Sequence, residues 1–103
     1  MPRYEIHLPL NFADGTLVPD ELFAAVRDEL ISRFGGLTIL PPSSPAQGWW
    51  KSENVLYRDD ILIYRVTTIG DEDQFFQQYK RSLAEQFKQQ EIWIERVEAR
   101  PIQ

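Results

Sequence analysis

A chain of 103 residues has room for one domain with one core, and its lack of cysteine excludes disulfides, thiolate nucleophiles and cysteine-ligated zinc together. The formal charge of −5 argues against a nucleic-acid or anionic-membrane partner, because both are held by clustered Lys and Arg. With 43% hydrophobic and 26% charged residues the chain is expected to fold, and six Phe, four Tyr and three Trp supply large side chains to pack.

The first ten residues carry one Arg and no apolar run of signal-peptide length. No window approaches the ~20 apolar residues of a membrane span. The expectation is a soluble cytoplasmic protein, with no membrane and no nucleic acid among its partners.

Arg3 to Leu10 alternates. Tyr4, Ile6, Leu8 and Leu10 fall on one face, and Arg3, Glu5, His7 and Pro9 on the other, which predicts a strand with one buried side. Pro9 has no N–H to give a ladder, so pairing on at least one side is expected to fail near it. Asn11 to Leu17, with Asp14-Gly15 inside it, reads as a loop and turn.

Pro19-Asp20-Glu21 opens a helix. Proline fits the first turn, and the carboxylates complement the positive end of the dipole. Phe23, Val26, Leu30 and Phe34 are spaced by three, four and four, which predicts a core-facing stripe. Gly35 then stands where a helix ends in a left-handed residue, and Gly36 lets the chain reverse.

Leu37 to Leu40 predicts a short strand. Pro41-Pro42-Ser43-Ser44-Pro45 cannot extend it, because the three prolines lack donors. Trp49-Trp50-Lys51 and Val55-Leu56-Tyr57, joined through Ser52-Glu53-Asn54, suit a small hairpin. Adjacent carboxylates at Asp59 and Asp60 predict a bulge or bend that interrupts the pattern. Ile61 to Ile69 is the clearest strand, with Leu62, Tyr64 and Val66 on one face and Ile61, Ile63, Arg65 and Thr67 on the other.

Asp71 and Gln74 have capping-box spacing at the start of a second helix. Phe76, Tyr79, Leu83 and Phe87 repeat the spacing of the first stripe. Shared architecture explains that repeat as well as duplication does. Glu91 to Ile102 predicts a last strand, closed by Pro101.

The order strand, helix, strand, strand, helix, strand predicts a single α+β domain over residues 1–103, a ferredoxin-like βαββαβ sandwich. Four antiparallel strands would carry two helices on one face, with a loop and hairpin inserted at about 41–58. Phe-Gly-Gly-Leu-Thr after the first helix, then Gly48-x-Trp50 and Tyr57-x-Asp59, resembles small bacterial proteins of uncharacterised activity. That resemblance implies a ferredoxin-like fold. The layout is also similar to the dimeric α+β-barrel group, which implies that two open sheet faces pack together. That group holds oxygenases and degradative enzymes, and the resemblance carries no catalytic residue onto this chain.

No catalytic, metal or nucleotide motif stands out, and no cofactor is called for. One histidine among scattered carboxylates is a poor start for a metal site. His7, on the open face beside Glu5 and near Arg65, is a candidate general base or an interface histidine. Arg65 is a candidate anion fork, or a partner for Glu5 or Glu95 across the sheet. Trp49 and Trp50 cannot both be buried on one side of a strand, so one ring needs a ligand, a second subunit or the proline loop as cover.

Two functions are therefore expected. The first is a homodimeric interaction or regulatory module using the open sheet face. The second is a small-molecule binder or enzyme, with a pocket between sheet and hairpin lined by Trp50, Tyr57, His7 and Arg65, Asp59 at its rim, and Trp49 as a further ligand-binding candidate.

Overall fold

The computed structural model describes the backbone of residues 1–40, 47–52 and 55–103, and the side chains of residues 1–40 and 61–103. The elements are β1 (Pro2–Pro9), α1 (Asp20–Phe34), β2 (Thr38–Leu40), β3 (Gln47–Ser52), β4 (Val55–Thr67), α2 (Asp73–Gln86) and β5 (Trp93–Glu98). The sheet runs in the order β2-β4-β1-β5, all antiparallel, with β3 paired to the outer part of β4. This is the expected ferredoxin-like layout, and β1 and β4 are its central strands.

Alternation in the sequence decides what the sheet buries. Tyr4, Ile6 and Leu8 of β1 and Tyr64 and Val66 of β4 point to one side and join the core. Leu30 of α1, and Leu83 and Phe87 in and after α2, close that core. Both helices lie on this side. The Tyr4 ring stacks on Phe76 of α2 at 4.1 Å between centroids. The Tyr64 hydroxyl donates to the Phe23 carbonyl of α1 at 3.2 Å. The helices also meet each other, through Phe34 stacked on Phe76 at 5.5 Å.

α1 begins after Pro19 with Asp20 and Glu21 in its first turn. It ends at Gly35, whose φ of 83° is left-handed and whose N–H donates to the Ile31 carbonyl at 2.8 Å. A side chain would resist that conformation, so the glycine sets the end of the helix.

Four expectations are corrected in detail. The bend at Asp59-Asp60 is absent, because β4 runs unbroken from Val55 to Thr67. Its ladder with β3 reaches Gln47↔Asp60, and the ladder with β1 starts at Pro9↔Ile61, so continuous pairing overrides the poor strand propensity of the carboxylates. β4 also stops short of Ile69, which is exposed. β5 covers Trp93–Glu98 and not Glu91–Ile102; its ladder with β1 ends at Pro2↔Glu98, and past it only Met1 and Ala99 exchange hydrogen bonds. At α2 the N-cap is Glu72, without a side-chain cap. Asp71 Oδ1 accepts instead from the Asp73 N–H at 2.8 Å, and the Glu72 N–H is taken by the Tyr4 hydroxyl at 2.9 Å.

Candidate functional site

Among the described residues no helix covers the other side of the sheet, and period-two alternation selects its residues. The strand registers arrange them in rows. One row crosses the sheet as Leu40, Ile63, His7 and Trp93. The next runs Thr38, Arg65, Glu5 and Glu95. A third holds Thr67, Arg3 and Val97.

The second row sets two carboxylates directly opposite each other, Glu5 against Glu95. Like charges in that position repel. Two guanidiniums offset the repulsion: Arg3 Nε lies 3.4 Å and Arg65 Nε 3.7 Å from Glu5 Oε1. Both Nε atoms are buried without a hydrogen-bond partner among the described residues, so these contacts are charge pairing and not full hydrogen bonds. Glu5 itself is only 8% exposed. A carboxylate this deep needs the cations beside it.

His7 stands one row from Glu5 on the same strand. Its Nε2 is buried and has no hydrogen-bond partner among the described residues. One ligand atom each from Glu5, His7 and Glu95 lies within 4.8 Å of the others. Glu95 is further oriented by the Trp93 indole, whose Nε1 donates to Glu95 Oε2 at 3.4 Å.

Apolar area flanks this polar strip. Ile63 is 8% exposed and Leu40 half-buried, whereas Trp93 at the sheet edge is 57% exposed. The face therefore combines an ionic strip, of which Glu5 alone is buried, with an exposed aromatic at its margin.

A concavity lies at the opposite side, between β5 and α2. It holds about 230 Å³ over Tyr4, Phe76 and Ile94. Its cations are already engaged. Arg96 Nη1 lies 3.0 Å from Asp73 Oδ1 and 3.3 Å from Asp71 Oδ1, and its Nε donates to Glu98 at 2.6 Å. Lys80 Nζ donates to Glu91 at 3.0 Å. The hydrogen bonds to Glu98 and then Asp73 hold the Arg96 guanidinium protonated more firmly than usual. The cleft works as a latch between α2 and the sheet.

Of the residues singled out from sequence, His7 and Arg65 share the outer face, in adjacent rows. Trp49, Trp50, Tyr57 and Asp59 lie on the β3–β4 ribbon, with Trp50 opposite Tyr57 and Gly48 opposite Asp59 in the backbone register. Their side chains, and the pocket expected between sheet and hairpin, fall outside the described residues. Sequence reasoning placed His7 beside Glu5 and offered Glu95 as a cross-sheet partner for Arg65, but it treated the carboxylates as scattered and missed that Glu95 converges with Glu5 and His7. The signal was the β1–β5 register, which a last strand drawn from Glu91 to Ile102 could not fix.

No protein-family model and no curated protein matches the chain. Solved structures do. The divalent cation tolerance protein Cut A1 from Thermus thermophilus superposes with a TM-score of 0.64 at 13% identity, covering 100% of this chain and 88% of that one. A phage SAM lyase in complex with S-methyl-5'-thioadenosine superposes with a TM-score of 0.63 at 16% identity, covering 94% and 80%. At these identities the likeness shows the fold alone.

Proposed function

We propose that this chain is a self-associating interaction module in which two copies pair through their outer sheet faces. The observation that carries the reading is the order of residues in the rows. A two-fold axis in the interface, running along the strands between β1 and β4, turns one face onto another. It lays Arg65 of one copy over Glu5 of the second, Ile63 over His7, and Leu40 over Trp93. Thr38 meets Glu95 and Thr67 meets Arg3, so no like charges oppose one another near the axis. Electrostatic complementarity of this kind fixes register between partners.

Trp93 supplies the exposed area. An aromatic anchor against an aliphatic side chain is the usual centre of binding energy in an interface. Sheet faces packed in this way keep their strands within about 30° of alignment, which preserves the row-on-row match near the axis. A chain without cysteine suits the reducing cytoplasm, where we place the module.

Sedimentation velocity tests the reading. The wild-type chain sediments as a dimer at high micromolar concentration. Trp93→Asp sediments as a monomer, with an unchanged circular dichroism spectrum because Trp93 lies at the sheet edge. Wild-type chain that stays monomeric over that range contradicts it.

A further inference from the structure

The arrangement of Glu5, His7 and Glu95 points to a second property, which goes beyond self-association and is complete within one copy. We infer that these three side chains form a binding site for a divalent transition-metal ion of the zinc and cobalt type.

The backbone delivers the ligands. β1 places Glu5 and His7 two residues apart on one face, and the β1–β5 ladder fixes Glu95 opposite Glu5. The three ligand atoms lie within 4.8 Å of one another. Around a tetrahedral ion with bonds of about 2.1 Å, ligand atoms sit ~3.4 Å apart. Small side-chain rotations close that gap while the strands stay in place.

The donor set selects the ion. One imidazole nitrogen with two carboxylate oxygens suits zinc, cobalt or manganese. Calcium asks for six to eight oxygens, which these three side chains do not provide, and magnesium prefers an all-oxygen shell to one containing an imidazole. Three protein ligands leave a fourth position open, as in a catalytic or exchangeable site rather than a closed structural one.

A separate observation supports a ligand here. His7 Nε2 is buried with no hydrogen-bond partner among the described residues, a desolvation cost that a metal bond at that nitrogen would remove. Glu5, buried beside it, has no hydrogen bond from either flanking Nε.

The same surroundings limit the affinity. Arg3 and Arg65 both approach Glu5 Oε1, which leaves Oε2 for an ion but puts two positive charges near it. The strip of two carboxylates and two guanidiniums is neutral before the cation arrives. Binding is therefore micromolar and not tighter, and removing a guanidinium strengthens it. A second copy's Arg65 laid over Glu5 adds a further charge, so metal loading and self-association oppose one another.

Cobalt(II) added to the full chain tests the site, read by its visible d–d absorption, with zinc titrated by calorimetry. One equivalent per chain binds with a micromolar Kd. His7→Ala and Glu95→Gln each weaken binding by about 30-fold or more, the scale on which metal-site residues act. Arg65→Ala tightens it by about tenfold, the sign that removing a nearby like charge gives. Glu95 lies on the edge strand β5, so the Gln variant keeps the fold and remains a test should His7→Ala unfold. Absence of binding below millimolar cobalt overturns the inference. So does a Glu95→Gln chain that titrates like wild type, or an Arg65→Ala chain that binds more weakly. Because Arg65→Ala weakens pairing of copies and strengthens metal binding, failure of one reading is distinguishable from failure of the other.

Discussion

The Tyr4 hydroxyl donates to Asp73 Oδ1 at 2.6 Å, joining the middle of the sheet to the first turn of α2. The Tyr4 hydroxyl oxygen also accepts from the Glu72 N–H at 2.9 Å, so a strand side chain completes a helix start that lacks its own cap. Burial, with the Asp73 carboxylate beside it, raises the Tyr4 phenol above its ordinary range. Tyr4→Phe keeps the ring stacked on Phe76 and removes only the oxygen. It is expected to cost about 1 kcal/mol in urea denaturation. An unchanged midpoint would show that the latch contributes nothing.

Asp73 gives the protein an acid-sensitive contact. The Tyr4 hydroxyl first, and Arg96 next, hold its carboxyl below the usual value. A depressed folded-state pKa means the stabilisation is present above the unfolded carboxyl range, near ~3.9, and is lost as pH falls through the folded value. Melting temperature followed from pH 7 downward should therefore fall less below about pH 4 in Asp73→Asn than in wild type. Parallel curves for the two chains would contradict this.

Gly35 and Gly36 separate conformation from space. A Cβ at either meets nothing within 4 Å, but Gly35 alone of the two has a positive φ, 83°. Gly35→Ala is expected to cost about 1–2 kcal/mol from backbone strain. Gly36→Ala should be close to neutral. Equal losses at the two positions would place the helix end elsewhere.

Leu83 of α2 and Ile31 of α1 are both aliphatic helix residues with different fates. Leu83 is fully buried and Ile31 is 44% exposed. Leu83→Ala is expected to lose about 2–5 kcal/mol, and Ile31→Ala well under half of that. Comparable losses would mean that Ile31 is packed as tightly as the core.

The fold was legible because its signals are local and periodic. Tyr4, Ile6 and Leu8 alternate, and the stripes Phe23–Phe34 and Phe76–Phe87 repeat at helical spacing, so each element announces its buried side. Gly35 announced an end for the same reason, as one position with one conformational need. Boundaries set by partners were not legible. β5 ends where β1 runs out, and the Asp59-Asp60 stretch stays extended because β3 and then β1 pair with it. The ionic strip suffered likewise. Glu5, His7 and Arg65 could be placed on one face from β1 and β4, but Glu95 joins them through a register that only the assembled sheet supplies.

Mixing two complementary variants tests the pairing of outer faces most directly. Leu40→Lys and Trp93→Asp place opposite charges at positions the two-fold axis sets against each other. Each variant alone should sediment as a monomer, and an equimolar mixture should recover the dimer. Variants that stay dimeric alone, or a mixture that stays monomeric while both chains remain folded, would contradict face-to-face association.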